Sequence, residues 1–344
     1  MKTRVTPILD RLRTWMPLLW SLVLVACLSG CANRIGTLAN NPWEQVPLPT
    51  ESTLLAIAFD TENSQHGWLV GTDATLLESQ DGGRTWQTRK IDLGEGNYRF
   101  TSVSMKGQEG WVTGKPGLLL HTQNGGQTWD RIPLNERFPG NPATVIALGP
   151  DQAELTTDLG AIYRTADGGH TWKALVLQAL GASRGVSRSA EGHYVAVSTK
   201  GNFYSTWAPG QSAWTPHNRQ SSRRVQAMGF TPEGHLWMLS RAGELRFSES
   251  EESETWTEPL KPEGQTGLLG IGLLDMAYRT PEEIWVVGGS GTLLCSFDSG
   301  QSWQRDRAIG SVPANLYSVV FTSSQQGFIL GGQGTLLRYV PAAA

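Results

Sequence analysis

Cysteine is scarce. Only three occur in 344 residues, and two of them, Cys27 and Cys31, fall near the start, so Cys295 is left without a partner for a disulfide framework. The six histidines (His66, His121, His170, His193, His217, His235) are scattered and show no H-x-H, H-x₃-H or Cys/His spacing of a metal centre. There is no G-x-S-x-G, phosphate loop or dinucleotide fingerprint in a suitable context, which removes the commonest nucleophilic and nucleotide chemistries. Long apolar runs are missing too. The best, residues 18–30, covers 13 positions, too short for a comfortable membrane span. Basic charge is in deficit: without residues 1–30 the chain has 24 Lys+Arg against 30 Asp+Glu, a net of −6. An acidic chain of this kind is a poor nonspecific nucleic-acid binder.

The short apolar run has its own use. Lys2, Arg4, Arg11 and Arg13 precede it, and it ends in Leu28-Ser29-Gly30-Cys31, which resembles the bacterial lipobox. The pattern implies a signal peptide over residues 1–30, acylation of Cys31 and a lipidated polar tether over 31–42. The protein is then expected to be exported and held at a membrane surface by lipid chains. Cys295, in an apolar strand pattern, reads as a small core residue.

Tryptophan and glycine, by contrast, are abundant, at 14 and 40. Tryptophans at 43, 86, 129, 172, 214, 256 and 303 are spaced by 43, 43, 43, 42, 42 and 47 residues, the mark of a repeat architecture. Four of them close a common turn: Ser79-Gln80-Asp81-Gly82-Gly83-Arg84-Thr85-Trp86, its copies ending at Trp129 and Trp172, and Ser296-Phe297-Asp298-Ser299-Gly300-Gln301-Ser302-Trp303. Trp214 and Trp256 keep the period and have lost most of the turn. Between tryptophans the chain reads as short β-branched and apolar runs set off by Gly, Asp and Asn, such as Leu54-Leu55-Ala56-Ile57-Ala58-Phe59 and Gly67-Trp68-Leu69-Val70-Gly71.

Four strands in about 40 residues make one propeller blade. First strands near 54, 100, 143, 185, 225, 273 and 316 give seven blades over residues 43–340. The last unit ends at Tyr339-Val340 without a tryptophan of its own, while Trp43-Glu44-Gln45-Val46 has no blade before it. The expected fold is therefore all-β, a seven-bladed β-propeller whose N-terminal strand completes the last blade and closes the ring. An open array would leave two bare sheet edges.

Regularity fails between Lys173 and Trp256, where arginine accumulates. Arg184, Arg188, Arg219, Arg223, Arg224, Arg241 and Arg246 lie within 63 residues, with Lys200 the only lysine among them. Arginine's planar fork suits carboxylate and protein-interface recognition. Links between blades lie on the same side as the turns between second and third strands, which places most of these residues on one face. Two other irregularities carry less: the acidic run Glu249, Glu251, Glu252 and Glu254, and a loop over 257–272 whose role is not readable.

The repeated turn resembles the Asp-box of sialidases and related propellers. Asp81 and its counterparts can accept bonds from turn N–H groups, so they read as structural rather than catalytic. A sialidase-like hydrolase needs an arginine triad and a Tyr–Glu pair. Arg131-Ile132-Pro133 resembles the sialidase Arg-Ile-Pro motif but stands in the second blade, not near the domain's start. The whole mature chain is similar to the cyanobacterial and chloroplast photosystem II assembly and stability factor, through its Asp-gly-gly turns, Leu48-Pro49-Thr50-Glu51-Ser52-Thr53, Gly67-Trp68-Leu69-Val70-Gly71-Thr72 and Gly331-Gly332-Gln333-Gly334-Thr335. That resemblance implies a non-catalytic factor, without a cofactor, on the lumenal side of the thylakoid membrane. It implies binding to newly made reaction-centre subunit precursors and early assembly complexes, and association with the membrane insertase and with chlorophyll delivery. It also implies a partner-binding arginine patch, placed here on Arg184, Arg188, Arg219, Arg223, Arg224 and Arg241. A generic cell-envelope binding propeller is the alternative, with a glycoside hydrolase behind it.

Overall fold

The computed structural model describes residues 35–134, 139–176, 180–219, 222–249, 255–262, 272–306 and 314–341. The signal segment, Cys31, most of the 257–272 loop and Glu251, Glu252 and Glu254 lie outside them.

Seven antiparallel sheets follow one another along the chain, with innermost strands at Leu54–Phe59, Arg99–Lys106, Pro142–Gly149, Ser183–Arg188, Val225–Phe230, Leu273–Tyr278 and Leu316–Ser323. Within each sheet the strands run in sequence order from the inside out, except that the sixth and seventh each take an N-terminal strand as their outermost. The second strands, for instance Gly67–Gly71, Tyr194–Ser198 and Ile284–Gly288, are buried along their whole length. Each is covered on both faces by neighbouring blades, which is why they read as continuous apolar runs rather than alternating ones.

Ring closure occurs as expected. Trp43–Val46 pairs antiparallel with Leu336–Tyr339, in register Trp43 with Tyr339 and Val46 with Leu336, and so forms the outer strand of the seventh blade. One strand was not anticipated: Gly36–Thr37, inside the expected tether, pairs in parallel with Gln304–Arg305 as a fifth strand of the sixth blade. The Leu38 N–H extends it to the Arg305 carbonyl, 3.0 Å. The fifth blade departs the other way. Among the described residues it has three strands, and its outer edge is held by the isolated bridges Leu245–Leu260 and Ser248–Trp256.

The periodic tryptophan is explained by what it touches. Each one reaches the blade before its own. Trp129 meets Trp68 edge-on at 5.4 Å, Trp172 meets Trp111 at 5.9 Å, Trp256 meets Tyr204 at 6.0 Å and Trp43 meets Trp285 at 5.3 Å. Edge-to-face pairs of this kind add about 0.5–1.5 kcal/mol beyond burial. Trp214 instead donates its indole N–H to the Gly160 carbonyl of the third blade, 2.7 Å. The tryptophan therefore persists in blades that have lost the turn, because its partner belongs to another repeat.

The turn is a closed hydrogen-bond unit. In the third blade the Asp167 carboxylate accepts from the Thr171 N–H (2.9 Å) and hydroxyl (2.6 Å), and from the Thr165 hydroxyl (2.8 Å). The Thr171 hydroxyl, then its N–H, hold Asp167 at about 2, well below the ordinary carboxylate range. Gly169 N–H returns to the Thr165 hydroxyl, and the Trp172 indole donates to the Gly169 carbonyl, 3.1 Å. Asn124 does the same work in the second blade, accepting from Thr128 N–H at 3.0 Å. The second glycine is demanded twice over at Gly126: its φ is +88°, and a Cβ there would lie inside the Trp68 ring. Cys295 is fully buried, and burial pushes its thiol up to about 12.

Candidate partner-binding face

Alternating strand directions give the disc two faces. One carries the turns within the first and last hairpins of each blade, including the Asp-boxes. The other carries the middle turns and the links from blade to blade.

Three of the expected arginines meet on the second face. Arg184 is the second residue of its inner strand, next to the link from the third blade. One guanidinium nitrogen donates to Gln226 Oε1 at 2.6 Å and another to the Thr199 carbonyl at 3.0 Å. Arg224 leads into the next inner strand, and Arg241 sits in the middle turn of the same blade. The Arg241 N–H donates to the Arg224 carbonyl, 2.9 Å, so the two positions are stitched together. Partial burial and the positive charges of Arg241 and Arg224 all lower the pKa of Arg184, the mark of like charges held in proximity. Arg223 lies beside Arg224, and its Nε donates to Glu244 Oε1 at 2.8 Å. Arg219 is half-buried in the link after Thr215–Asn218.

Arg188 does not join them. It ends the strand in which Arg184 is second, so the length of the strand carries it to the opposite face. There its Nε donates to Glu154 Oε2 at 2.9 Å, and its guanidinium lies 5.7 Å from the Tyr194 ring centre. Glu154 is 2% exposed and also accepts from Arg164 and from the Tyr194 hydroxyl. Burial would raise this carboxyl, yet Arg164, Tyr194 and Arg188 together hold it below its usual range. Arg188 is thus a partner of a buried acid, and removing it would strand that charge. Arg246, in the third strand Glu244–Phe247, is half-buried.

Sequence reasoning missed four contributors to the arginine face. Arg99, Lys115 and Asp158 line one depression with Arg184, and the Lys115 ammonium is held by Asp158 at 2.7 Å. Tyr317, 42% exposed, shares a second depression with Arg184 and Gln226. The available signal was positional: Arg99 and Tyr317 stand at the start of inner strands, as Arg184 does, and Lys115 ends a second strand at its middle turn, beside the position that Arg241 takes in its own blade.

Other chemistry is occupied locally. Arg131 of the Arg-Ile-Pro sequence lies on the outer strand Asp130–Arg131, 5.6 Å from the Tyr98 ring centre and away from the channel. Among the described residues, Glu109, His121 and Asp151 bring three ligand atoms within 4.8 Å of one another. Their bonds are internal: His121 Nε2 to Glu109 Oε1 at 2.6 Å, Trp111 Nε1 to the same oxygen at 3.0 Å, and Gln123 to Asp151 at 2.6 Å.

With this geometry in hand, comparison is informative. The model of the family described as photosynthesis system II assembly factor YCF48 matches residues 35–340. The chain belongs to that family. It is 61% identical to the photosystem II assembly lipoprotein Ycf48 of Synechocystis over 93% of this chain and 94% of the relative. A solved structure described as YCF48 bound to D1 peptide superposes with a TM-score of 0.86 at 51% identity, covering 90% of this chain and 100% of that one. YCF48 from Cyanidioschyzon merolae gives 0.81 at 40% identity, covering 88% and 99%. The family is one of photosystem II assembly factors, and its seven-bladed fold is the one found here.

Proposed function

We propose that this protein is a non-catalytic, lipid-anchored factor that captures a newly made photosystem II reaction-centre subunit on the lumenal side of the thylakoid membrane. The observation that carries the reading is the convergence of Arg184, Arg224 and Arg241, from two blades, in a chain whose mature net charge is −6. Grouped guanidiniums with Tyr317 beside them suit a carboxylate-bearing peptide, through charge-assisted and bidentate bonds. The D1 peptide of the solved relative makes a D1 segment the natural client, and the lipoprotein names of relatives support acylation of Cys31. Anchoring raises the effective concentration of the arginine face near membrane-borne clients. Early assembly complexes and the membrane insertase are then partners reached at that surface, with no nucleic acid involved.

A labelled D1 peptide titrated against the mature chain tests this by fluorescence anisotropy. Arg224→Ala/Arg241→Ala should weaken binding by about tenfold or more, since losing charge-assisted bonds at an interface costs about 1.5–3 kcal/mol. Unchanged affinity in the folded double variant would move the client elsewhere. Failure of the wild type to bind, with unrelated envelope proteins recovered from membranes instead, would favour a general envelope-binding propeller.

A further inference from the structure

The fifth strand of the sixth blade fixes where the chain leaves the disc. Gly36 pairs with Gln304 and Thr37 with Arg305, in parallel. Gln304 follows immediately on the Asp-box tryptophan Trp303, so residue 36 stands at the Asp-box end of the outer edge. The arginine group lies on the other face.

One Asp-box turn on the same rim carries an apolar side chain where its counterparts do not. The position between the first hydroxyl and the aspartate of the Asp-box is Gln80, Gln123 and Ala166 in the first three blades, and Phe297 in the sixth. Phe297 is 47% exposed, the most exposed large apolar side chain described. Val340, 36% exposed, lies on this face of the adjoining seventh blade, where its N–H donates to the Pro42 carbonyl at 2.7 Å. Phe203 and Tyr317, the other two exposed large apolar side chains among the described residues, belong to the arginine face.

We propose that the Asp-box rim of blades six and seven, centred on Phe297, is the surface that rests on the bilayer, so that the arginine face is turned away from the lipid. The proposal rests on acylation of Cys31. Four residues lie between Cys31 and Gly36, so the five steps from one to the other reach at most about 17 Å. A six-residue strand alone spans about 20 Å, and the middle turns add to that, so the tether cannot run back around the blade to lay the arginines on the membrane. Phe297 and Val340 then meet the headgroup boundary, where exposed aromatic and apolar groups are favoured. The arginine face meets client segments that project from the membrane, and not the headgroups themselves.

The test uses the acylated full-length protein purified from membranes. Single cysteines are placed at Gln301, in the Phe297 turn, and at Lys200, in the middle turn of the fourth blade. Each is labelled with a fluorophore, and the protein is bound to vesicles of phosphatidylcholine and phosphatidylglycerol carrying nitroxide-labelled lipid. The expected result is loss of fluorescence at position 301 and its retention at 200. Equal or greater loss at 200 overturns the proposal, and so does retention at both positions in vesicle-bound protein. Mass spectrometry of residue 31 and flotation of Cys31→Ser separate the two readings. An unacylated wild type removes the anchor and the proposal together, whereas an acylated, floating protein with the wrong quenching pattern removes the orientation alone.

Discussion

Blades one, two, three and six differ from blades four and five in how their outer edges are held. In the first group a glycine turn is pressed onto the aromatic core of the preceding blade, and a Ser, Thr, Asp or Asn side chain ties the turn to itself. In the second group the tryptophan still bridges to its neighbour, as Trp256 does to Tyr204, but the turn is gone. What replaces it is charge on the opposite face. The comparison teaches that the two duties of a blade, closing against its neighbour and displaying a surface, are carried by separate residues, so one can drift while the other is kept.

The sharpest way to break that comparison is to make one change in both groups. Gly126→Ala drives a Cβ into Trp68 at a φ of +88°, and a loss of about 3 kcal/mol or more in urea denaturation is expected. Gly210→Ala, in the outer turn of the fourth blade, meets nothing within 4 Å at a φ of +95°, so about 1 kcal/mol of backbone strain is all that should be lost. Equal losses would mean that the two groups of blades close alike.

Inner strands give the next contrast. Between blades four and five the Ser187 hydroxyl donates to the Met228 carbonyl at 2.7 Å, a neutral contact. Between six and seven, half-buried Asp275 accepts from the Ser318 hydroxyl at 2.7 Å and the Val319 N–H at 3.1 Å, and the loss of solvent around it raises it to about 6. Because its folded pKa lies above the unfolded one, this carboxyl penalises the fold progressively as pH rises from 4 to 6, and fully above that. Asp275→Asn should therefore stabilise the protein at pH 8 relative to pH 4, by on the order of 2–3 kcal/mol. The same difference at both pH values would show that the carboxyl titrates normally.

A smaller effect of opposite sign comes from the Asp-boxes. Hydrogen bonds depress Asp167 and Asp298, so the stability they contribute is complete above pH 4 and fades as pH falls toward 2. Replacing both by Asn, the residue that the second blade already uses, should flatten the fall in Tm between pH 5 and pH 2.5. An unaltered pH profile would deny these turns a part in acid unfolding. Least of all should Arg224→Ala/Arg241→Ala affect stability, because both side chains are exposed: a change within about 0.5 kcal/mol is expected by denaturation. A larger loss would make the arginines part of the scaffold.

Much of this was legible in advance because repetition is a strong signal. The seven tryptophans mark the blades, the unpaired strand at Trp43 announces the closure, and the Asp-box chemistry follows from Thr, Asp and Gly at fixed offsets. The failures have physical causes. The patch that the resemblance implies includes Arg188, yet four residues of extended chain carry it to the other side of the disc, where Glu154 waits in a different blade. Gly36–Thr37 has neither length nor β-branched pattern, and its pairing is set by an open sheet edge elsewhere. Arg99, Lys115 and Tyr317 are single residues in regular blades, and only the closed ring brings them beside Arg184.

The join that shuts the ring also sets an order in time. Glu44 and Arg338 face each other across it although they are 294 positions apart, so nearly the entire chain must exist before the first strand finds its partner. Until then Trp43 and Val46 stand unpacked beside a bare sheet edge, the kind of exposure that invites mispairing between chains. A chain released early, before residue 336, has nothing to receive its own beginning. Completion is thus checked by the fold itself: only a finished polypeptide can close.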